Sequence, residues 1–130
     1  MSALSMPAAV LFAVLSAVLV VLQIAVAAGA PLGRYAWGGQ HEGRLPGRLR
    51  IGSACSVPVY AVAALIVLDR AGLVRLFPEG FSNVAVWIVF ALFAVGTLMN
   101  LASRSKRERA IMTPLAALLV ASALVVALGA

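Results

Sequence analysis

Met6–Ala28 reads MPAAVLFAVLSAVLVVLQIAVAA. It contains no charged residue, and only Pro7, Ser16 and Gln23 interrupt an otherwise apolar run. About 20 such residues cross the roughly 30 Å hydrocarbon core of a bilayer. In lipid every backbone N–H and C=O must be satisfied within the segment, so a run of this kind is helical. Pro7 falls in the first turn, where its missing N–H is no loss. A secretory leader would place basic residues ahead of a run of about 7–15 apolar residues. Here the first basic residue is Arg34, so the segment is read as a retained helix.

Three further runs follow: Ile51–Leu68, Val84–Leu101 and Ile111–Leu128. The last one poses a boundary problem. A helix starting at Pro114 would measure only about 24 Å at 1.5 Å per residue. Ser105 with Glu108 three residues later fits a capping box, so the helix is expected to start there and pass through Pro114 with a bend. Pro58 is expected to bend the second helix in the same way, and Ser82 or Asn83 to cap the third. The reading is therefore an all-α fold: one domain, an integral membrane four-helix bundle with spans at about 6–28, 51–69, 83–102 and 108–128.

Composition agrees. Hydrophobic residues make up 64% of the 130 residues and charged residues 11%, against about 45–50% and about 25% in soluble domains. The mean hydropathy is +1.10. A soluble chain of this size would lack the polar residues to cover itself. The formal charge of +6 would suggest nucleic acid in such a chain, but here the basic residues sit between apolar runs and no nucleic-acid partner is expected.

The basic residues orient the bundle. Arg34, Arg44, Arg48 and Arg50 precede the second span, and Arg104, Lys106, Arg107 and Arg109 precede the fourth. Only Arg70 and Arg75 lie between the second and third, with Asp69 and Glu79. An eight-to-two split places the first and third loops in the cytoplasm and both termini outside it, N-out/C-out in the inner membrane. So strong a bias also makes any homo-oligomer parallel, unlike small four-helix transporters and channels that insert both ways.

Candidate chemistry is sparse. Cys55 is the single cysteine and His41 the single histidine, which leaves no disulfide, no zinc pair and no expected cofactor or metal. His41-Glu42 is the one adjacent acid–base pair and is read as a solvated loop pair. The loop Ala30–Arg50, APLGRYAWGGQHEGRLPGRLR, is rich in glycine and arginine. Glycines allow close backbone approach to a ligand, and Arg34, Arg44, Arg48 and Arg50 suit phosphate or carboxylate. Tyr35 and Trp37 suit the headgroup level. Without a P-loop Gly-Lys-Ser/Thr or a GxGxxG motif, the expected partner is an anionic lipid headgroup or small molecule. The plainer alternative is a loop that sets topology and touches anionic lipid nonspecifically.

Gln23, Ser53, Ser56 and Asn100 fall at similar depth in the cytoplasmic half and form the remaining candidate ligand-binding set. Intramembrane polar groups tend to face protein and often mark function; interhelical hydrogen bonding is the alternative. Asp69 is read as a solvated partner of Arg70 or Arg75 at the outer edge. No ionisable residue lies at mid-depth, which argues against proton-coupled antiport. Cys55, Tyr60, Phe90 and Phe93 are read as packing residues, and Ala13/Ala17, Ala25/Gly29, Gly52/Ser56 and Ala117/Ala121 as small pairs permitting close helix contact.

The stretches GAPLGRYAWGGQHEGRLPGRLRIGS and GTLMNLASRSKRE together resemble a group of small four-helix bacterial membrane proteins of unassigned function. The resemblance implies the topology and a bacterial inner-membrane home, and no activity. The functional expectation is a parallel oligomeric channel- or transporter-like bundle whose basic loop takes an anionic headgroup or small molecule. The alternatives are an accessory subunit of a membrane complex and, last, an enzyme acting on lipid or quinone.

Overall fold

The computed structural model describes residues 4–29, 47–78, 80–101 and 106–129, with the backbone alone for Arg48, Asn100 and residues 106–109. Four helices make up the chain: α1 (Ser5–Ala27), α2 (Gly47–Arg70), α3 (Phe81–Leu101) and α4 (Lys106–Leu128). Each is long and apolar enough to cross a membrane, and there is no strand among the described residues.

The helices run up, down, up and down. Arg50, near the start of α2, reaches the last residue of α1, and Ser82, at the start of α3, reaches the end of α2. Arg70, at the end of α2, lies against the end of α4. One end of the bundle therefore carries the end of α1 and the start of α2, the end of α3 and the start of α4, with Arg48, Arg50, Lys106, Arg107 and Arg109 in the first turns of α2 and α4; this is the basic end. The other carries both termini and the α2–α3 loop, and is called the terminal end. Around the bundle α1 packs on α2 and α4, and α3 on α4; the α2–α3 seam is the sparsest of the four adjacent pairs.

Core positions follow a seven-residue rhythm, the spacing that keeps one stripe of each helix against its neighbours. On α1 the stripe is Ser5, Ala9, Phe12, Ser16, Leu19 and Val26. On α4 it runs through Met112, Ala116, Leu119, Ala123 and Val126, all buried. Phe12 fills the middle, with its ring centroid 5.2 Å from that of Phe93 on α3. Tyr60 on α2 meets Phe93 edge-on at 5.7 Å. Large apolar side chains also cover the outside, Val18, Val21, Ile88 and Leu118 among them.

Several sequence expectations change. The second helix starts at Gly47, so Arg48 and Arg50 belong to α2 and not to the preceding loop. Two arginines in a first turn oppose the helix dipole. Arg50 Nε, however, donates to the Ala27 carbonyl at 3.0 Å, so its charge also serves the carbonyl end of α1, where a cation is favoured. The fourth helix starts at Lys106 and continues through Pro114, as α2 does through Pro58. The capping pair expected at Ser105 and Glu108 lies outside the described side chains.

Ser82 does not cap α3, because the helix already begins at Phe81 and its hydroxyl donates to Asp69 Oδ1 at 2.7 Å. The other Asp69 oxygen accepts the backbone N–H groups of Leu76 (2.8 Å) and Phe77 (3.1 Å). Asp69 thus clasps the α2–α3 loop and the start of α3, a role beyond the charge pairing read from sequence. The chain enters that loop through a Schellman turn, with Gly72 N–H bonded to Asp69 O and Leu73 N–H to Leu68 O. Gly72 has φ +84°, which only glycine adopts freely. Cys55 faces outward, and Ala117 and Ala121 are exposed while Ala116 and Ala123 are buried. The small pair proposed for α4 is therefore out of register with its contact face.

Candidate functional site in the basic half of the bundle

Polar side chains gather on the inward stripes in the basic half. Gln23 lies four residues before the end of α1, about 6 Å along the axis. Ser53 lies three residues past Arg50 on α2, and Thr113 seven residues into α4. Ser53 is fully buried. Because helical side chains lean towards their own N-terminus, Gln23 on α1 and Tyr60 on the antiparallel α2 lean towards each other, and the two side chains are hydrogen-bonded.

One end of the Gln23 amide is left over. Gln23 Oε1 is buried with no hydrogen-bond partner, and so are Thr113 Oγ1 and, at the middle of α1, Ser16 Oγ. Leaving a buried acceptor unpaired costs about 1–3 kcal/mol. Buried polar groups are otherwise nearly always satisfied, and an exception calls for a reason such as a bound molecule. Two other hydroxyls in the layer bond within their own helices: Ser56 Oγ donates to Gly52 O at 3.0 Å and Thr97 Oγ1 to Phe93 O at 2.9 Å.

Of the eight residues singled out from sequence, Gln23, Ser53 and Arg50 lie in the basic half of the α1–α2 pair, with Ser53 buried and Arg50 bonded to the end of α1. Ser56 is on the same helix but bonds its own backbone. Arg48 and Asn100 lie on α2 and α3 near the basic end, with side chains outside the described set. Arg34 and Arg44, with His41, Glu42, Tyr35 and Trp37, lie outside the described residues.

Tyr60 and Thr113 were missed. Tyr60 looked like packing because it sits in an apolar run, and Thr113 like a helix boundary because Pro114 follows it. The heptad offers the signal that finds Ser16: it lies seven residues before Gln23, hence on the same stripe.

Towards the terminal end the layer is closed. Phe12, Val67 and Val86 are buried completely and Leu119 almost so, an apolar barrier below the layer. Among the described residues no group of His, Cys, Asp or Glu could hold a metal ion. Comparison with family models, curated proteins and solved structures returns no match, and the resemblance to small four-helix bacterial proteins rests on the quoted stretches alone.

Proposed function

We propose that the protein is a multi-pass inner-membrane protein with both termini outside the cytoplasm. It takes a ligand from the cytoplasmic side and acts as a transport-type bundle in a parallel homo-oligomer. The ligand joins an anionic group to a hydroxyl, amine or amide donor, either as a free small molecule or as a lipid headgroup. One observation carries the reading: the unpartnered Oε1 of Gln23, an acceptor that demands a donor, in the half of the bundle where the basic residues concentrate. Arg34, Arg44 and Arg48 are the proposed anion partners, since Arg50 Nε is engaged with Ala27 O. Ser53, Ser56 and Asn100 complete the proposed set; the Ser56 hydroxyl, which donates to Gly52 O, keeps its acceptor lone pairs.

The eight-to-two basic split supports the orientation. The plug of Phe12, Phe93 and Leu119 supports an oligomer, because passage would need either a second arrangement of helices or a route between protomers.

Thermal denaturation in a neutral detergent tests the ligand chemistry. Phosphatidylglycerol and sn-glycerol 3-phosphate both pair a phosphate with hydroxyl donors, one as a lipid and one as a solute; phosphatidylcholine has the phosphate without the donor. Stabilisation by either of the first two, absent with phosphatidylcholine and lost in Gln23→Leu/Tyr60→Phe, is expected. No response to any of the three, or the same response in the double variant, would overturn the proposal.

A further inference from the structure

A groove of about 380 Å³ opens sideways along the sparse α2–α3 seam. Its lining is Pro58, Val59, Val62 and Ile66 on α2 with Ile88 and Leu92 on α3, over a floor of Ala63 and Val89. Every one of these side chains is aliphatic. The groove begins at the level of Tyr60, the innermost member of the polar layer, extends from there towards the terminal end, and is independent of the function proposed above. Pro58 lies near the middle of α2, and Ile66 stands only three residues short of Asp69 at the terminal end. From Pro58 to Ile66 it runs about 12 Å at 1.5 Å per residue, close to the roughly 15 Å that one leaflet contributes to a 30 Å hydrocarbon core.

We infer that this groove holds one acyl chain of a phospholipid from the leaflet at the terminal end, with the phosphate of its headgroup at Arg75.

Two features select a lipid chain over a helix. Helices that dock in membranes approach over small residues, whereas the rim here is Val59, Val62, Ile66, Ile88 and Leu92, bulky on both sides. A flexible chain can thread between such side chains, and a helical cylinder of about 10 Å diameter cannot. The mouth of the groove supplies the second feature. Asp69 follows Ile66 by one turn on the same face, and its carboxylate fixes the loop through Leu76 and Phe77. Arg75, the residue before Leu76, is exposed in the α2–α3 loop that this clasp ties to the end of α2. A guanidinium there complements a phosphodiester.

A phospholipid carrying a photoactivatable diazirine in mid-chain, reconstituted with the full-length protein, tests the inference by mass-spectrometric mapping. Labelling at Val62, Ile66, Ile88 and Leu92 is expected to exceed that at Val14, Val18 and Leu118, which face lipid elsewhere. Val62→Trp and Ile88→Trp, each made separately at an exposed rim position, should fill the groove. Each should abolish the excess with labelling at Val18 unchanged; persistence of the excess in both would overturn the inference. Arg75→Gln should lower groove labelling several-fold for the phospholipid, and leave it unchanged for a diacylglycerol with the same chains. Equal labelling on all exposed faces would overturn the groove, as would groove residues shielded from lipid by a second copy of the chain. An unchanged phospholipid signal in Arg75→Gln would overturn the headgroup contact.

Discussion

Replacing both members of the Gln23–Tyr60 pair should make the protein more stable, while replacing Tyr60 alone should make it less so. In the wild type the pair contributes one interhelical hydrogen bond, about 0.6 kcal/mol in a membrane. Against this stands Gln23 Oε1, buried and unpaired, which costs about 1–3 kcal/mol. Gln23→Leu/Tyr60→Phe removes both, for a net gain of about 0.5–2 kcal/mol. Tyr60→Phe alone loses the bond and strands the other end of the amide as well, a loss of about 2 kcal/mol. The double variant should therefore exceed the wild type, and the single variant should fall below it. Such non-additivity is what a contacting pair shows. Equilibrium unfolding by SDS in mixed micelles, or steric trapping in bicelles, measures all three proteins on one scale. The samples must be free of ligand, because a bound molecule that satisfies Oε1 would stabilise the wild type by mass action. A double variant less stable than Tyr60→Phe would refute the reasoning, because Oε1 would then have a structural partner and would not mark a site.

Other expectations follow from the same structure. A C-terminal alkaline phosphatase fusion should be active in cells and a reporter confined to the cytoplasm dark; the reverse would invert the orientation drawn from the basic residues. Phe12→Ala empties the centre of the bundle. The phenyl ring is as comfortable in lipid as in protein, so the loss is that of the cavity: roughly 100 Å³ at about 24 cal/mol per Å³, or about 2.4 kcal/mol. Val18→Ala on the lipid face should lie near zero in the same unfolding assay. Asp69→Ala should accelerate amide hydrogen exchange at Leu76 and Phe77, whose N–H groups it holds, with exchange in the middle of α1 unchanged. Arg50→Met removes the side chain that meets the carbonyl end of α1 and should lower stability by about 0.3–1 kcal/mol in low salt.

The number of helices and their extents were legible in the sequence for a simple reason. Hydrocarbon tolerates neither charge nor unpaired backbone, so each crossing must be an apolar run of one length and one conformation. The length argument also carried α4 back past Pro114, because the shorter alternative could not cross. Gln23 and Ser53 could be placed at one depth by counting residues along antiparallel helices. The way each side chain turns was not countable in that way. A soluble amphipathic helix announces its inner face by polarity, but these helices are apolar all round, and Val18 outside looks no different from Leu19 inside.

Rotation about each helix axis is therefore what only the tertiary structure decided. It turned Cys55 and the Ala117/Ala121 pair outward, and brought Tyr60 to Gln23 as a polar partner. The long polar side chains at the helix ends were illegible for a second reason, which is that most of their partners are backbone atoms. Arg50 meets a carbonyl of α1 and Asp69 meets two amides of the loop that follows it, and no side-chain pattern records where backbone groups of another segment will stand. The sequence determined which segments are long and apolar enough to cross a membrane, because that depends on each segment separately. Packing decided what the bundle keeps inside, because that depends on all four segments at once.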